Sequence, residues 1–188
     1  MKLIIAITGA SGAIFGIRLL EILKEIDDIQ THLIISKSAG LTIKSETNYK
    51  LNDIKAVADF SYNPDDISAC LASGSFKTDG MIIAPCSIKT MSAIAHSYCD
   101  NLITRSADVT LKEKRKLILM LRETPLHLTH LRNMVAIAEN GGILYPPVPA
   151  FYSNPETIDD LVNHTVYRML DLFEIDNDKL KRWNGLRD

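Results

Sequence analysis

The amino-acid sequence predicts an α/β protein with an open, mostly parallel, doubly wound sheet of the Rossmann-like or flavodoxin-like kind. Short apolar runs, typical of strands buried on both faces, alternate along the chain with longer amphipathic segments. A length of 188 residues suits a single domain with a sizeable core. Apolar residues make up 46% and charged residues 23%, which is ordinary for a globular protein and argues against disorder or a repetitive scaffold.

Hydrophobic periodicity, together with glycines and prolines between the periodic segments, predicts the strands and helices in the first half of the chain. The first apolar run ends at Thr8 and Gly9, and the next segment has isoleucine and leucine at helical spacing. Pro64, followed by two aspartates, is a helix-start signal in an otherwise irregular stretch. These patterns predict strands over residues 3–8, 32–36 and 57–60, helices over residues 13–26 and 39–47, and a helix that begins at Pro64.

Capping signals define the second half. Ser87 suits a helix N-cap, the sequence 140–142 (NGG) is typical of a helix end, and Pro155 suits a first helical turn. The tail contains the only tryptophan, Trp183, and a lone tryptophan in a polar tail usually anchors it to the core or to a partner chain. The patterns predict strands over residues 80–85, 116–121 and 143–145, helices over 87–96, 102–114, 128–139 and 154–173, one domain over 1–175 and a C-terminal tail over 176–188.

Charge, hydropathy and cysteine content exclude several classes of protein. The net charge of −2 provides no basic field for nucleic acid. No apolar run reaches the ~18 residues of a membrane span, and the N-terminal run passes directly into an amphipathic segment, unlike a signal peptide. Three cysteines without a CxxC pair favour a reduced, cytoplasmic compartment. His127 and His130 have no further ligands nearby in sequence, so we expect no metal site.

Open parallel sheets bind ligands outside the carboxyl ends of their strands, and the loops predicted there are rich in glycine and hydroxyl groups. Gly9 to Gly12, with Ser11, forms a turn before a helix N-terminus that can hold an anion, although a tight turn without a ligand is the alternative. Its spacing is neither the dinucleotide fingerprint nor the phosphate loop. Further hydroxyl groups come from residues 36–38 (SKS) and from Ser87 with Thr90, and they could also bind an anion. The alternative is that these side chains only cap helices.

The loop after the strand predicted over 116–121 contains opposite charges. Glu123 is a candidate proton donor or acceptor, and Arg122 can bind a phosphate or a polar ring. A surface ion pair between these neighbours is the alternative. Arg105 and Lys112 lie on or near one predicted helix, where a solvated basic face is the alternative.

Over nearly its whole length the chain resembles the UbiX-like flavin prenyltransferases, also described as Pad-type partner proteins of aromatic acid decarboxylases. Each matching stretch is short, but the order and spacing of the stretches are together highly specific. They are residues 8–13 (TGASGA), 35–39 (ISKSA), 85–87 (PCS) with Thr90 and Ser92, 101–103 (NLI) with Arg105, 107–109 (ADV), Lys112, 122–125 (RETP), 133–134 (NM), 147–152 (PVPAFY), Arg168 and Trp183.

The resemblance implies an enzyme that joins a dimethylallyl group from dimethylallyl phosphate to N5 and then C6 of reduced FMN, without a metal. The prenylated FMN serves a separate UbiD-type decarboxylase, as in aromatic acid decarboxylation and ubiquinone biosynthesis. Members of the family are cytoplasmic homododecamers with sites formed between subunits. We therefore expect residues 1–175 to bind flavin, and residues 176–188 to close the site or pack on a neighbouring subunit.

The resemblance also implies roles for individual residues. Glu123 matches a glutamate that relays protons, Glu46 matches a carboxylate near the substrate, and Trp183 matches a tail aromatic that closes the site. Ser11 is expected to face the chemistry. The implied flavin contacts are Gly9, Ala10, Ser11, Ser36, Ser87, Thr90 and Arg122, and the implied prenyl-phosphate contacts are Ser73, Gly74, Arg105, Lys112, Tyr152 and Arg168.

Two other functions remain open at the level of sequence. The related cysteine-decarboxylating flavoproteins share the fold and FMN but use a catalytic histidine, for which His96, His127 and His130 are candidates. A non-catalytic flavin carrier, or a flavin-binding subunit of an aromatic acid decarboxylase, would bind flavin without turnover and would co-purify with a larger partner.

Overall fold

The computed structural model describes residues 1–183 and residue 185, which form a six-stranded parallel sheet with helices on both faces. The order β3-β2-β1-β4-β5-β6 confirms the predicted doubly wound α/β fold and places the topological switch point between β1 and β4. The strands are β1 (Lys2–Ile7), β2 (Gln30–Ile35), β3 (Phe60–Tyr62), β4 (Gly80–Cys86), β5 (Lys116–Leu121) and β6 (Ile143–Leu144).

Seven α-helices in the same residues cover the two faces of the sheet. Because successive side chains of a strand point to opposite faces, β1 contributes Leu3, Ile5 and Ile7 to one core and Ile4 and Ala6 to the other. The first core includes residues of α1 and α7, and the second includes residues of α4, α5 and α6. The helices are α1 (Ala13–Lys24), α2 (Lys37–Glu46), α3 (Leu51–Val57), α4 (Ile88–Ala95), α5 (Leu102–Lys112), α6 (Leu128–Glu139) and α7 (Ile158–Asp171).

The irregular stretch after α2 differs from its prediction. Residues 51–57 form helix α3, and the strand predicted over 57–60 lies instead over Phe60–Tyr62, where it pairs with β2. Pro64 does not begin a helix: residues 63–69 form turns, and only a short 3-10 turn, Cys70–Ala72, follows. Tertiary pairing at the edge of the sheet, which the local pattern does not contain, decides this segment.

The last long helix begins later than predicted. Asn154 has a left-handed φ of 50°, so the helix predicted to start there cannot include it. Thr157 caps α7 instead: its Oγ1 accepts from the Asp160 N–H at 3.1 Å, and Asp160 Oδ2 accepts from the Thr157 N–H at 2.8 Å. This capping box fixes the start of α7 and leaves Pro155 in the preceding loop rather than in the first helical turn.

Gly16 allows close contact between α1 and the sheet. A Cβ at this position would lie 2.2 Å from the carbonyl oxygen of Ala84 in β4. This supports packing, rather than ligand binding, as the reason for a glycine one turn into the helix.

All three cysteines lie in the described residues and are free thiols. Cys86 is fully buried at the end of β4, and burial raises the pKa of its thiol. Within residues 1–183 and 185, no helix is both long and apolar enough to cross a membrane. The same residues contain no cluster of three or more His, Cys, Asp or Glu side chains that could hold a metal ion. Residues 176–183 of the predicted tail are described, whereas residue 184 and residues 186–188 lie outside the described residues.

Candidate active site

Thr8 ties together the carboxyl ends of the two central strands. Its Oγ1 donates to the Pro85 carbonyl at 2.8 Å and accepts from the Ser87 N–H at 2.8 Å. The side chain is buried, so both of its hydrogen bonds are made within the protein. Thr8 therefore holds the loop after β1 against the loop after β4, at the switch point where open α/β sheets bind their ligands.

The loop after β2 joins this edge through Ser36. The Ser36 N–H donates to the carbonyl of Ile7 at 3.0 Å, and Ser36 Oγ accepts from the Ala39 N–H at 3.1 Å, which caps α2. A Cβ at Gly9 would lie 2.5 Å from Ser38 Oγ. The glycine therefore allows the close approach of the two loops, with Gly9 against Ser38 and Ser36 bonded to the end of β1.

Ser87 is the N-cap of α4, as predicted. Its Oγ accepts from the Thr90 N–H at 3.3 Å and lies 3.1 Å from Thr90 Oγ1. A cleft of about 230 Å³ lies between the starts of α2 and α4, with Ser36, Thr90 and Asn101 in its wall. The structure thus brings Ser36 and Thr90 to one cavity.

The N-terminus of α1 is capped by Glu46. Its Oε2 accepts from the Gly12 N–H at 2.8 Å and from the Ala13 N–H at 3.4 Å. Burial by itself would raise the pKa of Glu46, but hydrogen bonds from Ser11, Gly12 and Ala13 and the charge of Arg122 hold the pKa below its ordinary value. Two of the backbone N–H groups at this helix start, those of Gly12 and Ala13, are therefore already bound to a carboxylate.

Arg122 and Glu123 follow β5 and complete this edge. The Arg122 N–H donates to the carbonyl of Cys86 at 3.2 Å, and Glu123 Oε1 accepts from the Thr124 N–H at 3.0 Å. Both side chains are exposed and face a second cleft of about 230 Å³ that Pro147 also lines. The carboxyl edge of the sheet thus contains nearly all of the predicted flavin residues. It also contains both predicted catalytic carboxylates, Glu46 and Glu123.

Four predicted prenyl-phosphate residues form a second group elsewhere. Arg105 Nε donates to the carbonyl of Ala72, beside Ser73, at 3.1 Å, and a Cβ at Gly74 would lie 2.8 Å from Lys112 Nζ. The 72–74 turn, Arg105 and the end of α5 are therefore in contact.

Gly74 and Lys112 of this second group lie at the opposite end of β5 from Arg122 and Glu123, whereas Arg105 lies near the start of α5. Lys112 ends α5 before β5 begins, whereas Arg122 follows the last residue of β5. At about 3.3 Å per residue, the six residues of β5 separate its two ends by about 17 Å. A single chain therefore does not bring Gly74 and Lys112 to the edge that holds the flavin residues.

The remaining predicted residues form a third group on α7 and the tail. The Tyr152 and Trp183 rings meet edge-on, 5.8 Å apart. Arg168 pairs with Asp171, whose carboxylate also accepts from Arg182 Nη1 at 3.1 Å. Tyr152, Trp183 and Arg168 are thus held beside α7, and Trp183 keeps 58% of its surface exposed.

Sequence reasoning missed three residues that position these groups. Thr8 lies directly before the glycine turn, and the sequence predicts it as the end of a strand and as part of the TGASGA motif but gives it no role in the site. Arg115 stands between two lysines in the sequence, Lys114 and Lys116, and has no predicted role, yet its Nη2 donates to the Gly74 carbonyl at 2.7 Å and its Nη1 to the Phe76 carbonyl at 2.9 Å. His164 lies 3.3 Å from Tyr152 Oη through its Nε2. Only Thr8 had a usable signal, its place between a strand and a glycine turn.

Comparison with known proteins shows which family the chain belongs to. Residues 1–170 match the Flavoprotein family. The flavin prenyltransferase UbiX of Escherichia coli (strain K12) is 53% identical over 186 residues, which cover 98% of each chain. That of Thauera aromatica is 54% identical over 185 residues, or 98% of this chain and 95% of the relative.

This chain belongs to the UbiX flavin prenyltransferase family.

Solved structures of UbiX proteins have the same fold. A dodecameric FMN-dependent UbiX-like decarboxylase from Escherichia coli O157:H7 superposes with a TM-score of 0.96 at 51% identity, covering 98% of this chain and all of that one. A UbiX protein in complex with FMN and dimethylallyl pyrophosphate has a TM-score of 0.96 at 48% identity, covering 99% of this chain and 98% of that one. The resemblance to UbiX proteins drawn from the sequence motifs is confirmed.

The cysteine decarboxylases resemble this UbiX-family chain in fold alone. Peptidyl-cysteine decarboxylase EpiD has a TM-score of 0.62 at 21% identity, covering 79% of this chain and 82% of that one. Of the three candidate histidines, His96 lies at the end of α4 with its Nδ1 2.8 Å from the Ser92 carbonyl. The His127 and His130 rings lie against each other at the start of α6, with ring centroids 3.5 Å apart and planes tilted by 32°.

Proposed function

We propose that this chain is a flavin prenyltransferase, which transfers a dimethylallyl group from dimethylallyl phosphate to N5 and C6 of reduced FMN. The observation that supports this most strongly is the identity of 53% to a UbiX enzyme over 98% of both chains. The product is the prenylated FMN that a UbiD-type aromatic acid decarboxylase uses. Three free thiols suit a reducing compartment, and we place the enzyme in the cytoplasm.

FMN fits the carboxyl edge in one orientation. Since Glu46 already binds the N–H groups of Gly12 and Ala13 and is itself negatively charged, the start of α1 is unfavourable for the anionic phosphate of FMN. The cleft between α2 and α4 offers the Ser36 and Thr90 hydroxyls instead. We therefore place the phosphate in that cleft and the flavin ring towards Ser11, Glu46 and Arg122.

Bound FMN, once reduced, supplies the nucleophilic atoms N5 and C6, and the side chains of this protein supply charge, orientation and proton transfer. Arg105, Lys112 and Arg168 are suited to binding the departing phosphate, because their interaction with it strengthens as negative charge develops. Glu123 donates a proton to the phosphate and accepts one from the flavin. Trp183 offers a π-face to the allylic cation and helps to exclude water.

The complete site requires more than one copy of the chain. Gly74 and Lys112 lie at one end of β5 and the Arg122–Glu123 loop at the other, and the strand between them is about 17 Å long, so we infer that one prenyl phosphate does not contact both within a single chain. Association of copies would bring the basic group of one subunit to the flavin edge of another. We propose a homo-oligomer, a dodecamer like the UbiX-like relative from Escherichia coli O157:H7.

The direct test is the mass of the flavin product. Purified protein is incubated under anaerobic conditions with FMN, a reductant and dimethylallyl monophosphate or pyrophosphate, and the flavin is analysed by mass spectrometry. We expect a flavin heavier by one prenyl unit. Unchanged flavin would contradict the proposal; carbon dioxide release from a peptidyl or pantothenoyl cysteine would favour a cysteine decarboxylase, and bound FMN without any turnover would favour a flavin carrier.

A further inference from the structure

One ring nitrogen of His164, on α7, lies within hydrogen-bond distance of two oxygen atoms. Its Nε2 lies 3.3 Å from Tyr152 Oη and 3.3 Å from the carbonyl oxygen of Lys181 in the tail. The Tyr152 ring also meets the His164 ring edge-on, with the centroids 5.5 Å apart. One imidazole nitrogen is thus the meeting point of a predicted phosphate ligand and the C-terminal tail.

The two contacts compete for the same hydrogen. A carbonyl oxygen only accepts, so the contact with Lys181 requires His164 to carry its proton on Nε2. With that proton in place, Nε2 cannot accept from the Tyr152 hydroxyl. Both distances exceed the usual 2.9–3.0 Å of an N–H···O bond, which is typical of one N–H shared between two oxygens.

The tail segment held by His164 also positions Trp183. Lys181 Nζ donates to the Ser153 carbonyl at 3.0 Å, next to Tyr152, and the Trp183 ring packs edge-on against Tyr152. A change in the position of Tyr152 therefore affects the tail in two ways: through its ring contact with Trp183 and through the N–H of His164 that it shares with Lys181.

We propose that His164 is a positioning residue that couples binding of the donor phosphate to docking of the tail. When the Tyr152 ring shifts so that its hydroxyl donates to the phosphate, its oxygen moves away from Nε2, and the His164 N–H passes wholly to the Lys181 carbonyl. The tail is then held more firmly and keeps Trp183 over the site. The inference rests on the proposed function for the identity of the phosphate ligand, but the coupling itself does not require turnover.

Trp183 is the only tryptophan, so its fluorescence reports on the tail directly. Acrylamide quenching is measured on the full-length, FMN-free protein with and without dimethylallyl monophosphate, for wild type, His164→Leu and His164→Gln. Leucine removes the N–H, whereas glutamine keeps a donor of similar reach and is the matched control. We expect the ligand to lower the wild-type quenching constant about twofold, the Gln variant to respond alike, and the Leu variant to respond by less than a quarter of that change.

Steady-state kinetics give the second measurement. Loss of one hydrogen bond of ordinary net strength corresponds to about a fivefold change in an equilibrium constant. We expect His164→Leu to raise the KM for dimethylallyl monophosphate about fivefold and to change kcat less than twofold, with His164→Gln within twofold of wild type in both. We expect FMN affinity to stay unchanged in both variants, because His164 is not among the predicted flavin contacts, and this unchanged affinity confirms that the variants are folded.

Wild-type quenching that does not respond to the ligand would overturn the coupling, and so would a leucine variant that responds like wild type. A glutamine variant as defective as the leucine variant would show that His164 acts only by packing, which also overturns it. Failure of the proposed function can be distinguished from failure of the coupling, because a wild-type protein that makes no prenylated flavin would still give a quenching result.

Discussion

Replacing Glu46 by glutamine tests whether its carboxylate stabilises the start of α1. The N-cap residue of this helix is Gly12, which has no side chain to accept a backbone hydrogen bond. Glu46 supplies the acceptor from the end of α2, 34 residues away in sequence, with its Oε2 2.8 Å from the Gly12 nitrogen. Glutamine keeps an oxygen acceptor but loses the negative charge that interacts favourably with the helix N-terminus.

The expected loss of stability follows from these contacts. A charge at a helix N-terminus contributes up to about 1 kcal/mol, and a capping hydrogen bond contributes about 1 kcal/mol more. Glu46→Gln should therefore destabilise the protein by about 1 kcal/mol, and Glu46→Ala, which also removes the acceptor, by about 2 kcal/mol. In a domain of this size each 1 kcal/mol lowers the Tm by about 2–4 °C.

The effect of Glu46→Gln should depend on pH in a defined direction. Hydrogen bonds to Ser11, Gly12 and Ala13 and the charge of Arg122 outweigh burial and lower the pKa of Glu46 in the folded protein. A lowered pKa means that the carboxylate stabilises the fold fully above the unfolded value of about 4.3 and progressively less as the pH falls through the folded pKa. The difference between wild type and variant should be present at pH 7 and should disappear in acid.

Thermal unfolding of the FMN-free protein, followed by circular dichroism at one protein concentration, measures this difference. Glu25→Gln is the matched control, since Glu25 is exposed at the other end of α1, where loss of a negative charge should leave the Tm unchanged or slightly higher. A Tm deficit of Glu46→Gln that is the same at pH 7 and in acid, or is absent at pH 7, would refute the capping role.

Three further predictions concern catalysis, packing and the second group of residues. Glu123→Gln should slow formation of prenylated FMN about 100-fold, while FMN affinity, measured by fluorescence titration, changes less than twofold. A variant that forms the product at the wild-type rate would contradict the proton-transfer role. Gly16→Ala should lower stability in urea by about 2 kcal/mol, because its Cβ would lie 2.2 Å from the Ala84 carbonyl; an unchanged midpoint would show that α1 shifts freely. Arg115→Leu should raise the KM for dimethylallyl phosphate about tenfold at unchanged FMN affinity, because it frees the Gly74 carbonyl; a wild-type KM would show that the turn is held without it.

Local patterns predicted most of the secondary structure because the information lies within each segment. The apolar runs of β1, β4 and β5 are buried on both faces, as continuous hydrophobic strands require. The predicted bounds of β5 and α6 agree with the structure, and Ser87 caps α4. The main errors fall in the stretch from α3 to the turns after β3, where α3 was not predicted and no helix begins at Pro64, and at the start of α7, where Asn154 adopts a left-handed conformation that no periodicity reveals.

The sequence by itself determined the fold class and the residue types of the site, because the alternation of strands and helices, the glycine turns and the hydroxyl-rich loops are visible in local patterns and in the motifs of the family. Only the tertiary structure decided how those residues are grouped. Glu46 reaches Gly12 across 34 residues, and Lys112 lies at the opposite end of β5 from Arg122. Such long-range placement depends on the order in which strands pair and on how helices pack over them, and these are properties of the whole chain rather than of any segment.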